Sequence, residues 1–406
     1  MKIVNIFENS SYTLHDEYVA DFKEFLLQNP TLPITFNKNT LFFDEYTIGS
    51  ISVNDLTIII NPRITNMTPN HYFEMELYNE GLLNDTLSTL LDENHSFGLQ
   101  QNLLRIFLEE SLKLVNRGIE GTFIIVKEHT NVIKGRILAS EITPMNLLQD
   151  LIPVEYTMHT IDTSYNKIIK LALQKIAPLV SNSSLNTTYS IISSYFTEID
   201  VFPSDFPSLL MDLDYHIFPD NNQYPIVIGI AIKILRELKL NMKDHKVLGS
   251  SYLVNSNNLF EKYARNVLSR NLKISVSKWD TPKNMGQFSI NDITYYKSYI
   301  PDILLDYNSE EQTAMTVFDA KNKDISKYQN IASLPDLYQI LFYCYSLKTT
   351  FGGLIYPYFG KLAPIKINVD SFQDNNLFIF TIDFSQDLRT RNTQFVENIR
   401  NILRVN

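Results

Sequence analysis

The sequence contains a single cysteine, Cys344, among its 406 residues. One thiol excludes an intramolecular disulfide and a zinc site built from several thiolates, and its place in an apolar stretch is typical of a small buried side chain. The chain also lacks an apolar run of about 18 residues, so no membrane span is predicted. Its N-terminus reaches an acidic residue by Glu8 and has no apolar signal-peptide core. These absences predict a cytoplasmic protein.

An excess of positive charge is missing as well. The chain carries 35 Lys and Arg against 45 Asp and Glu, a net charge of −10, which disfavours a protein that holds nucleic acid alone through a broad basic surface. Residues 251–350 are less acidic, with eleven basic and ten acidic residues, a balance of +1 that leaves −11 for the remainder.

Several catalytic and nucleotide-binding motifs are absent too. The sequence has no G-x-x-x-x-G-K-[ST], so we do not expect it to bind a nucleotide through a P-loop. Its seven histidines are scattered and no G-x-S-x-G occurs. Zinc chemistry and Ser/His/Asp catalysis therefore have little support.

The length of 406 residues predicts two or three domains, and the composition, 44% hydrophobic and 20% charged, predicts a folded globular protein. The β-rich and helical patterns along the chain predict the α+β class. We divide the chain into a β-rich region (residues 1–153), a helical region (154–248) and an α/β region (249–406). In the first, Gly49 and the Asn54-Asp55 turn signal are expected to break short strands. A helix in "NLLRIFLEESLKLVNRG" should end at Gly118, and a hairpin should follow around Glu128–Asn131.

The helical region takes its period from "NKIIKLALQKIAPLV" and "YPIVIGIAIKILRELKL". A proline-punctuated stretch between them, "FPSDFPSLLMDLDYHIFPDNNQYP", is expected to be a long connection. The third region is predicted to run helix, strand, strand, helix, strand, which is typical of an α/β core with a mixed sheet.

Two aspartates in the third region occupy apolar strand segments. Asp302 lies among Ile300, Ile303 and Leu304, and Asp319 follows Val317 and Phe318. Because alternate residues of a strand share a face, Asp319 and Lys321 should project together, about 7 Å apart.

A hairpin would bring the two aspartates together. If Asn308–Gln312 forms the turn, residues whose numbers sum to 621 face each other, and Asp302 pairs with Asp319 at a Cβ separation of about 5 Å. Two ionised carboxylates at that distance repel by about 3 kcal/mol at an effective dielectric near 20. A shared proton or a divalent cation would relieve the repulsion. Oxygen ligands favour Mg²⁺ or Mn²⁺ over zinc, and a neighbouring lysine suits phosphodiester hydrolysis.

The alternative is that Asp319 and Lys321 lie on an edge-strand surface and that Asp302 is a turn or cap residue. Two flanking helices bear on the choice. Glu261 lies at the margin of the apolar stripe of "NNLFEKYARNVLSRNL", where it is either a third carboxylate of the site or a solvated glutamate.

The second helix, "SLPDLYQILFYCYSL", is apolar on nearly every side. Ser333 and Asp336 fit a capping box. Asp336, Gln339, Tyr343 and Ser346 form a narrow polar stripe that either faces the carboxylate–lysine site or packs in the core around a stray glutamine.

Taken together, Glu261, Pro301-Asp302, Asp319-Ala320-Lys321 and Gln339-x-x-x-Tyr343 resemble the PD-(D/E)xK nuclease superfamily. The likeness extends over most of the chain. In the same order as in McrC, the nuclease subunit of McrBC and related LlaJI-type restriction systems, similar segments occur here as "YTIGSISVNDLTIIINPRI", "RGIEGTFIIVKEHTNVIKGRI", "TIDTSYNKIIKLAL", "NNLFEKYARNVL" and "LPDLYQILFYCYSL".

The resemblance implies a C-terminal nuclease core and a Mg²⁺-dependent (or Mn²⁺-dependent) endonuclease that cuts double-stranded DNA. It implies that Asp302, Asp319 and the Ala320 carbonyl bind the metal, with Glu261 as an accessory ligand. Lys321 would position or activate the attacking water, and Gln339 and Tyr343 would support the site or contact the DNA backbone.

The resemblance also implies a partner, an AAA+ GTPase hexamer of the McrB type whose pore receives the N-terminal part of McrC. Arg63 and the Gly135-Arg136 turn are candidates for the residues that stimulate it. The competing interpretation is a non-catalytic adaptor that docks on and activates an NTPase. The intact set of Asp302, Asp319 and Lys321 favours the nuclease, and the two roles are compatible.

Overall fold

A computed structural model describes residues 2–83, 98–181, 183–214, 223–290, 293–326, 331–369 and 376–404, and all statements below concern these ranges. Two compact units are present. The first comprises Met1–Asn102, Asn241–Lys243 and Leu248–Asn406, and the second Leu103–Leu240 and Asp244–Val247. The predicted α+β class is confirmed, while the division into three regions stays a prediction.

The helices are α1 (Asp16–Gln28), α2 (Pro69–Glu80), α3 (Leu99–Arg117), α4 (Pro144–Leu148), α5 (Ser164–Val180), α6 (Asn186–Ser194), α7 (Phe206–Asp214), α8 (Gln223–Glu237), α9 (Ser256–Asn271), α10 (Leu334–Ser346) and α11 (Leu388–Leu403). The strands are β1 (Lys2–Phe7), β2 (Ser11–Thr13), β3 (Ile34–Asn37), β4 (Thr40–Phe43), β5 (Thr47–Val53), β6 (Leu56–Asn61), β7 (Thr122–Thr130), β8 (Arg136–Ile137), β9 (Ile152–Thr160), β10 (Lys239–Lys243), β11 (Lys246–Asn255), β12 (Val276–Ser277), β13 (Lys283–Ile290), β14 (Ile293–Tyr299), β15 (Ile303–Leu305), β16 (Thr316–Ala320), β17 (Phe351–Tyr358), β18 (Ile365–Ile367) and β19 (Asn376–Asp383).

The N-terminal sheet of the first unit has the strand order β1-β6-β5-β11-β10. Asn54 adopts a left-handed φ of 54° between β5 and β6, which confirms the predicted turn. Gly49 does not break the strand as expected but lies inside β5. A Cβ there would stand 2.1 Å from the Tyr252 carbonyl oxygen, so glycine permits the close approach of β11.

The second sheet of this unit has the order β12-β15-β16-β17-β19-β18 and is mixed, since β16, β17 and β19 are parallel and the outer pairs antiparallel. The predicted order of helix, strand, strand, helix, strand is present as α9, β15, β16, α10 and β17. An additional antiparallel ribbon, β13–β14, is inserted before β15. Cys344 of α10 is 1% exposed in the core beside this sheet, as expected for a small buried side chain.

The second unit contains the predicted helices as α3, α5 and α8. In α5, the buried residues recur at helical spacing on one face, from Tyr165 through Ile168, Ile169 and Ala172 to Ile176, which is what an amphipathic stripe produces. The stretch expected to be a long connection contains the helix α7, and its residues 215–222 lie outside the described ranges.

The predicted hairpin around Glu128–Asn131 is wrong. Glu128 lies within β7, and β7 and β8 both pair with β9 rather than with each other. The physical reason is the length of the strand ladder. β9 forms nine residue pairs with β7, whereas β8 forms only two residue pairs, on the other edge of β9. Across all described residues, no helix combines the length and apolar character that crossing a bilayer requires.

Candidate active site at the end of the central strands

The two aspartates meet through the register of β15 and β16. Ile303 pairs with Phe318 and Leu304 with Val317, so every pair sums to 621, as predicted. Asp302 is correctly placed opposite Asp319 but precedes β15 instead of lying in mid-strand. Its Oδ2 accepts a hydrogen bond of 3.0 Å from the Ala320 backbone N–H. Asp302 and Asp319 are 7% and 2% exposed, which excludes the edge-surface alternative.

Lys321 follows β16 and contacts both Asp319 and α10. Its Nζ lies 2.5 Å from Asp319 Oδ2, a charge contact rather than a well-aligned hydrogen bond, and donates a 2.8 Å hydrogen bond to Gln339 Oε1. Gln339 Nε2 in turn donates to the Tyr343 hydroxyl at 2.7 Å, and that hydroxyl donates to the Ile300 carbonyl at 3.3 Å. The polar stripe of α10 therefore faces the site.

The start of α10 differs from the expected capping box. Ser333 is the N-cap residue, but its hydroxyl donates to the Asp336 carboxylate at 2.7 Å instead of accepting from a backbone amide. Asp336 also receives an ion pair of 2.7 Å from Lys323. Asp336 thus holds the segment that follows Lys321 against α10.

Glu261 reaches the cluster from α9 through a lysine that the sequence analysis missed. Lys278 Nζ lies 3.3 Å from Glu261 Oε2 and 3.4 Å from Asp302 Oδ1. Glu261 Oε1 accepts a 2.6 Å hydrogen bond from Asn257. Its side chain is 17% exposed, so Glu261 is not an ordinary solvated glutamate.

Two signals pointed to the missed basic residues. Lys278 directly follows β12, which pairs with β15, so recognising that short strand would have placed Lys278 beside Asp302. Arg265 lies one helical turn beyond Glu261 on α9 and donates a 3.0 Å hydrogen bond to the Asp302 carbonyl oxygen. The spacing of four residues puts both side chains on the same helix face.

The electrostatics follow from burial and from the mutual repulsion of the acids. Burial, followed by the neighbouring Asp302 carboxylate, raises the pKa of Asp319 to about 7. Burial and then Asp302 also raise the pKa of Glu261. Burial lowers the pKa of Lys321, but the Asp319 carboxylate outweighs it and the net shift is upward. Burial and the neighbouring carboxylates therefore favour the protonated form of the acids, beside a Lys321 ammonium group that keeps its charge.

The fold and the site define an α+β protein whose mixed sheet carries a buried carboxylate–lysine cluster at the end of its central strands. A family model described as McrBC 5-methylcytosine restriction system component matches residues 44–357, a range that includes every residue of the cluster. The chain belongs to this family. The resemblance to McrC drawn from the sequence is thereby confirmed.

Two solved structures are similar. One is a refined half-complex from a tetradecameric assembly of Thermococcus gammatolerans McrB AAA+ hexamers with bound McrC, with a TM-score of 0.67 and 16% identity over 99% of this chain and 100% of that chain. The other is the McrBC complex of the same organism, with a TM-score of 0.49 and 16% identity over 66% of this chain and 88% of that chain. Among curated proteins, none matches the sequence significantly.

Proposed function

We propose that this chain is the metal-dependent DNA endonuclease subunit of a McrBC-like, NTP-dependent restriction system, with a PD-(D/E)xK site. The observation that carries the proposal is the buried pairing of Asp302 with Asp319, with Lys321 Nζ 2.5 Å from Asp319. Such a cluster costs folding free energy, because carboxylates are removed from water next to each other. A catalytic role explains why it lies in an otherwise apolar strand pair.

The residues present offer the donor chemistry of a divalent cation site, although the carboxylate oxygens of Asp302, Asp319 and Glu261 do not all come within 4.8 Å of one another. Asp302, Asp319 and Glu261 offer oxygen donors, which Mg²⁺ and Mn²⁺ prefer. Ala320, whose backbone N–H donates to Asp302, would add its carbonyl oxygen. Burial, followed by repulsion from Asp302, raises the pKa of Asp319, and a cation would relieve that repulsion. We assign these four residues as metal ligands. When bound, the cation would supply charge stabilisation and a more acidic water.

The remaining residues of the site orient the attacking water and hold the charged side chains in place. Lys321 is assigned to orient the attacking water, and Gln339 fixes its ammonium through the 2.8 Å hydrogen bond. Tyr343 holds Gln339 and is anchored on the Ile300 carbonyl. Lys278 forms ion pairs with both Glu261 and Asp302 and so offsets part of their negative charge.

The proposed partner is an AAA+ GTPase hexamer of the McrB type. Two observations support it: the family to which the chain belongs, and the similar structure in which McrC is bound to McrB AAA+ hexamers. Within the second unit, the β7–β9–β8 sheet exposes large apolar side chains on both faces. Phe123 is 73% exposed and Ile125 72% on one face, and Ile124 is 40% and Met158 41% exposed on the other.

We propose the apolar sheet surface formed by Phe123 and Ile125, the more exposed of the two faces, as the docking site for the hexamer, since exposed apolar patches mark protein interfaces. Of the two candidates for stimulating residues, Arg136 belongs to this sheet as the first residue of β8. Arg63 lies in the first unit, where its Nε is 3.7 Å from buried Glu8.

The experiment is a cleavage assay on methylated and unmethylated double-stranded DNA, with the partner NTPase present or omitted. Asp319→Ala and Lys321→Ala are expected to abolish Mg²⁺-dependent cleavage and to leave partner binding and NTPase stimulation intact. Lys366→Ala, an exposed lysine on the outer strand β18, is the control and should cleave normally. Full cleavage by both site variants would remove the catalytic assignment. NTPase stimulation without any cleavage by the wild type would support the adaptor function instead.

A further inference from the structure

A chain of buried polar groups joins the N-terminal sheet to the residue that follows Lys321. Glu8, just after β1, is 2% exposed. Its Oε2 accepts a 2.8 Å hydrogen bond from the Ser256 hydroxyl, and its Oε1 accepts one of 3.0 Å from the Arg63 backbone N–H. Asn322 Nδ2 donates to Ser256 Oγ at 2.9 Å, and the Tyr72 hydroxyl donates to Asn322 Oδ1 at 2.9 Å.

The network has a fixed direction. When the Glu8 carboxylate accepts the Ser256 proton, the Ser256 oxygen is left to accept from the Asn322 NH₂ group. This orients the amide so that its oxygen points at the Tyr72 hydroxyl. Each member therefore has a partner, and removing one would leave another unpaired in a low-dielectric interior.

The position of this network relative to the site gives it significance. Ser256 is the first residue of α9, the helix that carries Glu261. Asn322 immediately follows Lys321, which is bound to Asp319. Glu261 and Lys321 lie on different elements of the fold, and Ser256 and Asn322 join these elements by one direct hydrogen bond.

A second contact ties the same N-terminal part to the same segment. The Thr65 hydroxyl donates a 2.7 Å hydrogen bond to Asp324 Oδ2, and the Thr65 backbone N–H donates to it at 3.3 Å. Asp324 lies three residues beyond Lys321. Residues 8–72 therefore hold the segment after β16 at two places, one buried and one exposed.

We infer that Glu8, Tyr72 and Asn322 are positioning residues of the nuclease site, which set the separation of the helix that bears Glu261 from the strand end that bears Lys321. This inference rests on the proposed function. It gives the N-terminal region, predicted from sequence as a partner-docking region, a second role inside the catalytic unit. Partners that orient groups of a catalytic site typically change activity by about 10- to 100-fold when they are removed.

The sharpest test removes one atom. Tyr72→Phe deletes only the hydroxyl that binds Asn322. Tyr252→Phe is the matched control, because both tyrosines are 0% exposed and the Tyr252 hydroxyl makes a comparable 2.8 Å hydrogen bond, to Glu76. Glu8→Gln is the second variant. Its control is Glu45→Gln, which removes the same negative charge from an exposed position.

Two readouts separate positioning from folding. The first is single-turnover cleavage with Mg²⁺ and saturating DNA, where we expect Tyr72→Phe and Glu8→Gln to lose about 10-fold or more in rate at unchanged DNA affinity. The second, amide hydrogen exchange without metal or DNA, should show faster exchange for peptides covering 255–262 and 319–326, and unchanged exchange for α10. Both controls should match the wild type in each readout.

Each outcome decides between the explanations. Wild-type exchange in those two peptides for both variants would overturn the inference, as would uniformly faster exchange across the first unit with a matching loss of melting temperature. If the wild type cleaves no DNA under any condition, the proposed function fails, while the exchange arm still reports whether the network joins the two elements.

Discussion

Lys321 Nζ lies 2.5 Å from Asp319 Oδ2. Asp319 is the penultimate residue of β16, and Lys321 directly follows the strand. The contact affects the partners unequally. Lys321 keeps its proton because Asp319 outweighs burial, and its pKa rises. Asp319 does not keep its charge as readily, because burial and Asp302 together raise its pKa to about 7 despite the ammonium beside it. The site is thus poised between two protonation states in the physiological range.

The raised pKa of Asp319 predicts a pH-dependent stability in the absence of metal. The folded protein binds the proton more tightly than the unfolded chain, so this stabilisation is fully present below the ordinary carboxyl pKa of 3.8 and is lost as the pH rises through about 7. Asp319→Asn cannot ionise and keeps Gln339 as a partner for Lys321. As the pH rises from 4 to 8, the unfolding free energy of Asp319→Asn should therefore increase relative to that of the wild type, by on the order of 4 kcal/mol at most.

The measurement for Asp319→Asn is the melting temperature across that pH range with a chelator present. Added Mg²⁺ at pH 8 should raise the melting temperature of the wild type, since a ligand of the folded state stabilises it, and should have little effect on the variant. Parallel pH curves for the two proteins would contradict the assignment of the proton to Asp319.

Lys278 provides a second prediction, since it lies between Glu261 and Asp302 and lowers the pKa of Glu261 against burial and Asp302. Lys278→Met removes that ammonium, so the pKa of Glu261 should rise further. We expect cleavage at pH 7 to fall by about 10-fold and to recover partly at pH 9, where the acids ionise. Lys278→Arg preserves the charge and should keep most of the activity. A loss of equal size at every pH would instead indicate a role independent of the acids.

The apolar sheet surface provides a third prediction, about the partner. Ile125→Asp places a charge in the proposed interface and should reduce NTPase stimulation by about 10-fold or more, while the melting temperature stays within a degree or two because the side chain is already exposed. Leu27→Asp on α1 is a matched control, since Leu27 and Ile125 are both 72% exposed. Equal stimulation by both variants would exclude this surface as the docking site.

The pairing of β15 with β16 is the part of the site that the local sequence encodes. Turn residues and strand alternation are local, so the Asn308–Gln312 turn was sufficient to predict the pairing of Ile303 with Phe318. Such signals depend on neighbours within about 20 residues, which a single chain displays directly. The apolar surroundings of Asp302 and Asp319 favour burial but also allow an edge-strand surface, and the choice between them depends on β16 lying inside the sheet.

The errors came from long-range pairing. β8 pairs with β9 on the edge opposite β7, although β7 is nearer in sequence, and the nine residue pairs between β7 and β9 far outnumber the two that β8 makes. Lys278 escaped notice because β12 has two residues and carries no periodic signal. The Glu8 network joins residues more than 240 positions apart, and no local pattern marks it. Such contacts require the assembled sheets.

Gly49 also depends on a long-range contact, with β11, and provides a fourth prediction. Its φ is +131°, and an added Cβ would meet the Tyr252 carbonyl oxygen at 2.1 Å, a backbone atom that cannot rotate away. Gly49→Ala therefore combines conformational strain with a displaced β11, and should cost about 3 kcal/mol or more of unfolding free energy.

A control separates the two costs of the Gly49 substitution. Gly81, in the same unit, has a φ of +74°, and its added Cβ would meet only the Arg270 Nη2 atom, at 4.0 Å. Gly81→Ala should therefore carry the strain alone, about 1 kcal/mol. Urea unfolding followed by circular dichroism measures both variants. Equal losses would show that β11 moves freely away from β5. A larger loss for Gly49→Ala would show that the strand is fixed at Tyr252, three residues before Asn255, which caps α9 by accepting from the Asn258 backbone amide.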